Sequence, residues 1–227
     1  MPKKKTYYAV FIIMFIIIAV VWYGIQNYKF TEEVEDYQDW FIHFIEEKRQ
    51  EPDKNIVIAR VGDDEITNFD LDFYSAINHL YMVTEDPEIE LKEIELNKEA
   101  TISGFHGLLF DSAYDQYALL HNFAVDIDEA YEVQHSIAEV EVESDNPAIR
   151  AVSQLKLDHP ELFSREARGY YALRLLEEGM MTTPDLSLDQ VAEESLAILN
   201  EALDNVDIIL TEEAPKLVEE AMQMLRD

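Results

Sequence analysis

The side chains able to do chemistry are abundant in one class and scarce in the others. The chain carries 48 Asp and Glu, six His and no Cys. Without cysteine there is no thiolate nucleophile, disulfide, thiolate zinc site or lipid-modified cysteine anchor. His43, His79, His106, His121, His135 and His159 are scattered. None belongs to a His-Glu-x-x-His arrangement, which sets two imidazoles one helical turn apart on one face. Glu132 and His135 fall on a common helix face, where the expectation is a surface pair and not a metal site. Carboxylates cluster at Asp63-Asp64-Glu65, at Asp70 and Asp72, and at Asp126, Asp128 and Glu129. Calcium would need oxygens converging on one point, and the EF-hand spacing is absent. Turn formation and helix capping account for these acids, since a helix N-terminus favours negative charge. Two carboxylates can hydrolyse a glycoside, but with 48 acids some pair is always close, so that hint carries no weight. Gly-x-Ser-x-Gly, phosphate-loop and dinucleotide patterns are absent. The residues point away from an enzyme, and no cofactor or metal is expected.

Lys and Arg number 17, for a formal charge of −31 over 227 residues. Such a chain repels a phosphate backbone, so nucleic-acid binding is not expected. The length suits one helical or mixed domain with an appendage. Only six Gly and seven Pro argue against Gly-rich nucleotide folds and long disordered tracts.

From Thr6 to Tyr28 no side chain is charged, and the run from Tyr7 to Tyr23 is almost wholly apolar. A bilayer core needs roughly 20 such residues. Tyr7, Tyr8, Trp22 and Tyr23 sit at its ends, where amphipathic rings prefer the interface. Lys3, Lys4 and Lys5 precede it, and Glu32, Glu33, Glu35, Asp36 and Asp39 follow. The positive-inside rule then puts residues 1–6 in the cytoplasm, an anchor at 7–28 and the rest outside the cell membrane's inner face. A cleaved signal peptide would have a shorter apolar region and a small-residue cleavage site. The bulky residues after Val21 offer none. Without the three leading lysines, 14 basic residues face 48 acidic ones, a charge of −34. Adaptation to a salty or alkaline exterior explains this better than a dedicated acidic binding face does.

Beyond the anchor, helical periodicity dominates. Val34, Tyr37, Trp40, Phe41, Phe44 and Ile45 form an i, i+3, i+4, i+7 stripe within a juxtamembrane helix at 29–53, ended by Pro52. Residues 56–61 make the one strand expected, followed by a Gly62-Asp63 turn. Thr67 with Asp70 forms a capping box opening a helix. Residues 84–98 read as an acidic loop. A long helix follows over 99–121, with Ile102, Phe105, Leu109, Ala113, Tyr117 and Leu120 on its stripe. Asn122 suits the left-handed position past its end. Asp126 and Glu129 make a second capping box, before a helix with Ala130, Val133 and Ile137 inward. Pro147 begins another helix, and a further one over 161–179 carries Tyr170, Leu173, Leu176 and Met180. After a loop at 181–186, Ser187 caps a helix with Val191, Leu196, Leu199 and Leu203. Thr211 caps the last one, with Pro215 in its first turn and Val218, Ala221, Met222 and Leu225 on its stripe. The fold class expected is mainly α, a transmembrane helix followed by a helical ectodomain with one short β element.

The stretch Ile56-Val-Ile-Ala-Arg-Val-Gly-Asp-Asp-Glu-Ile-Thr-Asn-Phe-Asp-Leu71 resembles the opening of the SurA/PrsA-type extracytoplasmic chaperone domain. Ala59, Val61, Ile66, Thr67, Asp70 and Leu71 match that pattern, while Gly62-Asp63 stands where Asn-Gly is usual. Ala118 to Glu129 is similar to the second half, with Asn122 in the Gly position and Asp126 as cap. The resemblance covers residues 54–140. It implies a SurA-N-like peptide-holding domain, with 141–227 as a helical extension packed on it. A parvulin isomerase domain often follows in that family. Residues 141–227 carry helix caps, 3.6-residue stripes and only Gly169 and Gly179, which leaves no place for one.

The expectation is therefore a membrane-anchored, non-enzymatic protein that holds unfolded or secreted polypeptide in a groove between helices. Tyr74, Tyr81, Met82, Phe105, Tyr114 and Tyr117 are the candidate lining residues, although aromatic residues at helical spacing are more often core. The main rival is a structural or regulatory envelope protein that binds one folded partner, with 187–227 as its docking arm. A degenerate isomerase is the third reading.

Overall fold

The computed structural model describes residues 30–86, 89–91, 97–180 and 188–226. Among them, no helix is long and apolar enough to cross a membrane. The expected tail at 1–6, the anchor at 7–28, the Ser187 cap and the loop at 181–186 lie outside the described residues.

Helix α1 covers 30–48. Val34, Tyr37, Phe41, Phe44 and Ile45 of its stripe are buried, and Trp40 stacks on Phe44 at 5.4 Å between ring centroids. Phe41 meets Phe73 edge-on at 5.4 Å, and Phe73 meets Phe163 in the same way at 5.2 Å. Three rings from three elements thus make one cluster, and each fully buried ring is worth about 1.5–3 kcal/mol.

The sheet is larger than the sequence suggested. Strand β1 (Val57–Val61) pairs antiparallel with β2 (Asp64–Thr67) and, on its other edge, with β3 (Ile208–Leu210). The hairpin turn is Gly62-Asp63. Gly62 has φ +58° and Asp63 stays at negative φ, the pattern of a turn with glycine in first place. The turn is held from outside, since the Asp63 N–H donates to Gln116 Oε1 at 3.1 Å. Thr211 does not cap the last helix. Its N–H donates to the Ile58 carbonyl at 3.0 Å and its hydroxyl to the Val57 carbonyl at 2.7 Å, so it extends the sheet edge.

Helix α2 (Asn68–Glu85) opens on the expected capping box. The Asp70 N–H donates to Thr67 Oγ1 at 3.3 Å and Asp70 Oδ2 accepts from the Thr67 N–H at 2.8 Å. Helix α3 (Lys98–Leu120) is central, packed by α2 and by α6, α7 and α8, the helices over Ser164–Met180, Leu188–Asn205 and Lys216–Arg226. It is buried almost all round, which explains why a single stripe describes it poorly. Asn122 ends it at φ +63°, as its type allows.

Helix α4 (Ile127–Glu141) is capped by Asp126, whose Oδ1 accepts from the Asp128 and Glu129 N–H groups at 2.9 and 3.3 Å. The box is not reciprocal, because Glu129 instead accepts from the Tyr171 hydroxyl. Helix α5 (Pro147–Asp158) begins at Pro147 under an Asn146 cap, and a 3-10 turn at Pro160–Phe163 leads into α6.

Two stripes are rotated from their expected register. In α4 the core takes Ala130, Gln134 and Ala138, while Val133 and Ile137 stay outside it. In α7 it takes Ile198 and Ala202, with Val206 just past the helix end; of the expected stripe Leu203 packs against the core's edge and Leu196 is exposed. The segment read as a docking arm places Ile198, Val206, Val218 and Met222 in the same hydrophobic cluster as Phe41 and Leu80. One core therefore draws on residues from Val34 to Met222.

Candidate functional site

Three helices each offer one face to a common space. Tyr74, Ile77 and Tyr81 of α2 are spaced i, i+3, i+7. Gly107, Phe110, Asp111 and Tyr114 of α3, and Glu166, Gly169, Tyr170 and Leu173 of α6, are spaced i, i+3, i+4, i+7. A helix puts such positions on one side, and all eleven line a cavity of about 380 Å³, with Glu141 from α4 and Lys156 from α5 at its border.

Glycine sets the helix spacing. An added methyl at Gly104 would lie 2.6 Å from the Ser75 backbone nitrogen, and one at Gly169 would lie 2.6 Å from the Asp111 Cα. The helices touch at these points. At Gly107, which lines the cavity, the same methyl would meet only the Tyr74 ring, at 3.5 Å and beyond.

The cavity holds buried polar groups. The Tyr74 hydroxyl donates to Asp111 Oδ2 at 2.6 Å. Burial, then the charge of Glu166, pushes the Asp111 carboxyl well above the usual carboxylate range. Burial also raises Tyr74, with Asp111 adding to it, and carries Tyr81 and Tyr114 to about 12. These tyrosines are neutral hydroxyls at physiological pH. Lys156 Nζ lies 2.6 Å from Glu166 Oε1 with both side chains largely buried. Burial opposes the Lys156 charge, but the carboxylate of Glu166, supported by Tyr81 and Glu141, outweighs it and raises its pKa.

A second, wider cleft of about 820 Å³ runs between α4 and α6. Its walls include Val133, Ile137, Val140 and Leu175, and its rim carries Glu129, Glu132 and Glu178. The rotated register of α4 is what places these bulky apolar side chains here. Val140 is 74% exposed. Glu141 lines both spaces, and the successive residues Tyr170 and Tyr171 of α6 line one each.

A third space of about 280 Å³ lies on the other side of the Tyr74–Asp111 pair and is strongly charged. Arg165 crosses it, pairing with Asp64 and donating to Ser112 Oγ and the Glu65 carbonyl, each at 3.0 Å. The turn acids are thus clamped by α6 in addition to their local roles. Glu65 pairs with Arg60 at 2.8 Å. His135 sits 3.4 Å from Glu139 and not beside Glu132, which corrects the expected pairing. Among the described residues, no three His, Asp or Glu side chains are grouped as a metal ion would require.

Of the six residues singled out from the sequence, Tyr74, Tyr81 and Tyr114 come together in the tyrosine-lined cavity. The others line none of the three spaces described. Phe105 is fully buried in the core, and Met82 is half-buried on α2. Tyr117 is buried, donating to Glu201 Oε2 at 2.9 Å and meeting His121 edge-on. Sequence reasoning missed Phe110, Asp111 and Tyr170. Asp111 had a signal, an acid following the apolar run Leu108-Leu109-Phe110 in the middle of a long helix. Lys156 and Glu166 had none, because their pairing joins separate elements. The arrangement offers burial, aromatic faces and hydrogen bonds. No family model, curated protein or solved structure matches this chain.

Proposed function

We propose that the protein is a non-enzymatic holder of extended polypeptide, tethered by residues 7–28 with residues 29–227 outside the cytoplasm. The observation that carries this reading is the α4–α6 cleft, where Val133, Ile137, Val140 and Leu175 face open space while the core beneath is closed with alanine and glutamine. Bulky apolar side chains gathered on an exposed surface suit apolar segments of another chain. The tyrosine-lined cavity beside it is of a size to take a single side chain. The order of strand, Gly turn, capping box and long helices keeps the resemblance to the SurA/PrsA-type domain as support for the same reading.

The test is photo-crosslinking in intact cells from position 140, with position 120 as control. Leu120 is 61% exposed and lines none of the three spaces. Capture of many unrelated secreted chains from 140 and few from 120 is the expected result. A single abundant product from 140 would establish the rival, a protein with one dedicated partner. Equal yields from both positions would refute a dedicated cleft.

A further inference from the structure

We propose that the cavity between α2, α3 and α6 receives a basic side chain, lysine or arginine, from the polypeptide lying in the adjoining cleft. This rests on the peptide-holding reading and adds a selectivity to it. Three carboxylates, Asp111, Glu141 and Glu166, line the cavity against one ammonium, Lys156. Lys156 is already committed to Glu166 at 2.6 Å. Among the described residues, no Lys, Arg or His forms an ion pair with Asp111 or Glu141. Their polar contacts are neutral hydroxyls, from Tyr74 at 2.6 Å and Ser153 at 2.7 Å.

The walls suit the same guest. Phe110, Tyr114, Tyr81 and Tyr170 line the space. An aromatic face attracts a cation most where water is excluded. A norleucine side chain, of similar length but uncharged, would displace water without adding positive charge, leaving Asp111 biased to its neutral form and Glu141 with only the already committed Lys156 nearby. An entering ammonium or guanidinium supplies that charge and stabilises the ionised form of Asp111. The entrance agrees, since the neighbouring cleft is rimmed by Glu129, Glu132 and Glu178, and the whole chain carries −31.

The experiment uses the 227-residue chain in neutral detergent and short fluorescent peptides with a central Leu-Xaa-Leu, where Xaa is Lys, Arg, norleucine or Glu. Lys and Arg peptides are expected to bind about tenfold tighter than the norleucine peptide, with the Glu peptide weakest. Asp111→Asn with Glu141→Gln can keep both hydroxyl hydrogen bonds and removes the two groups able to ionise against an entering cation. It should abolish the preference, so that Lys, Arg and norleucine peptides bind alike, while an unchanged circular-dichroism spectrum reports an intact fold. Equal binding of Lys and norleucine by the wild type would overturn the inference and leave the holding reading standing. A Lys preference that survives the double substitution would overturn it too, by tracing the preference to diffuse charge. If no peptide binds, the holding reading itself fails.

Discussion

The three helical glycines around the cavity make the geometry testable through one substitution repeated at three places. Gly→Ala in a helix interior normally stabilises by about 1 kcal/mol, because alanine restricts the unfolded chain and favours the helix. At Gly107 the new methyl lies 3.5 Å from the Tyr74 ring, an ordinary contact. Gly107→Ala should therefore stabilise by about 0.5–1 kcal/mol. At Gly169 it lies 2.6 Å from both Cα and Cβ of Asp111, and at Gly104 it lies 2.6 Å and 2.8 Å from the Ser75 backbone. Carbon atoms pack at about 3.5–4.0 Å, so α3 would have to move away by roughly 1 Å, and backbone cannot rotate aside. Overpacking of this kind costs about 1–3 kcal/mol, and more where it separates helices. Gly104→Ala and Gly169→Ala should thus lose about 1–2 kcal/mol net of the propensity gain. For a chain of this size each kcal/mol moves Tm by about 2–4 °C. Thermal and urea unfolding of the three variants, followed by circular dichroism, should give one rise and two falls. If all three move together, or if the 104 and 169 variants gain stability, helix contact at these glycines is wrong.

Two further predictions rest on the cavity's charges. The Asp111 carboxyl is raised in the folded state, so the fold binds that proton more tightly than the unfolded chain does, and its contribution falls as pH rises above about 4. Asp111→Asn should accordingly be more stable than the parent at neutral pH, with the difference shrinking toward pH 4 in parallel urea titrations; a constant difference would contradict the raised value. Lys156→Met leaves Glu166 buried and unpaired and should cost about 3–5 kcal/mol, whereas Lys156→Met with Glu166→Leu should recover most of it. A single variant within 1 kcal/mol of wild type in chemical denaturation would show that water reaches the pair freely.

Local chemistry was legible in the chain. The Thr67–Asp70 box, the Gly62 turn, the left-handed Asn122, the Asp126 cap and Pro147 at a helix start each depend on a few neighbouring residues, and each stands where its residue types require. Strand β3 was not legible, because Ile208-Ile209-Leu210 is a short apolar run that gains strand geometry only by pairing with β1. The candidate site divided along the same line. Tyr74 and Tyr81 could be placed on one face of α2 by spacing. Phe105 and Tyr117 carry the same aromatic signal as Tyr114, and only packing distinguishes the buried residues from the one facing a cavity.

The amino-acid order alone determined the starts of α2, α4 and α5, the end of α3, the excess of negative charge and the predominance of helix, because these follow from contacts a few residues apart and from composition. Tertiary structure decided which side of α4 and α7 faces inward, which two glycines touch a neighbouring helix, and which carboxylates lack a basic partner. Those outcomes depend on groups such as Lys156 and Glu166, or Gly169 and Asp111, that lie on different elements and meet only once several helices have packed.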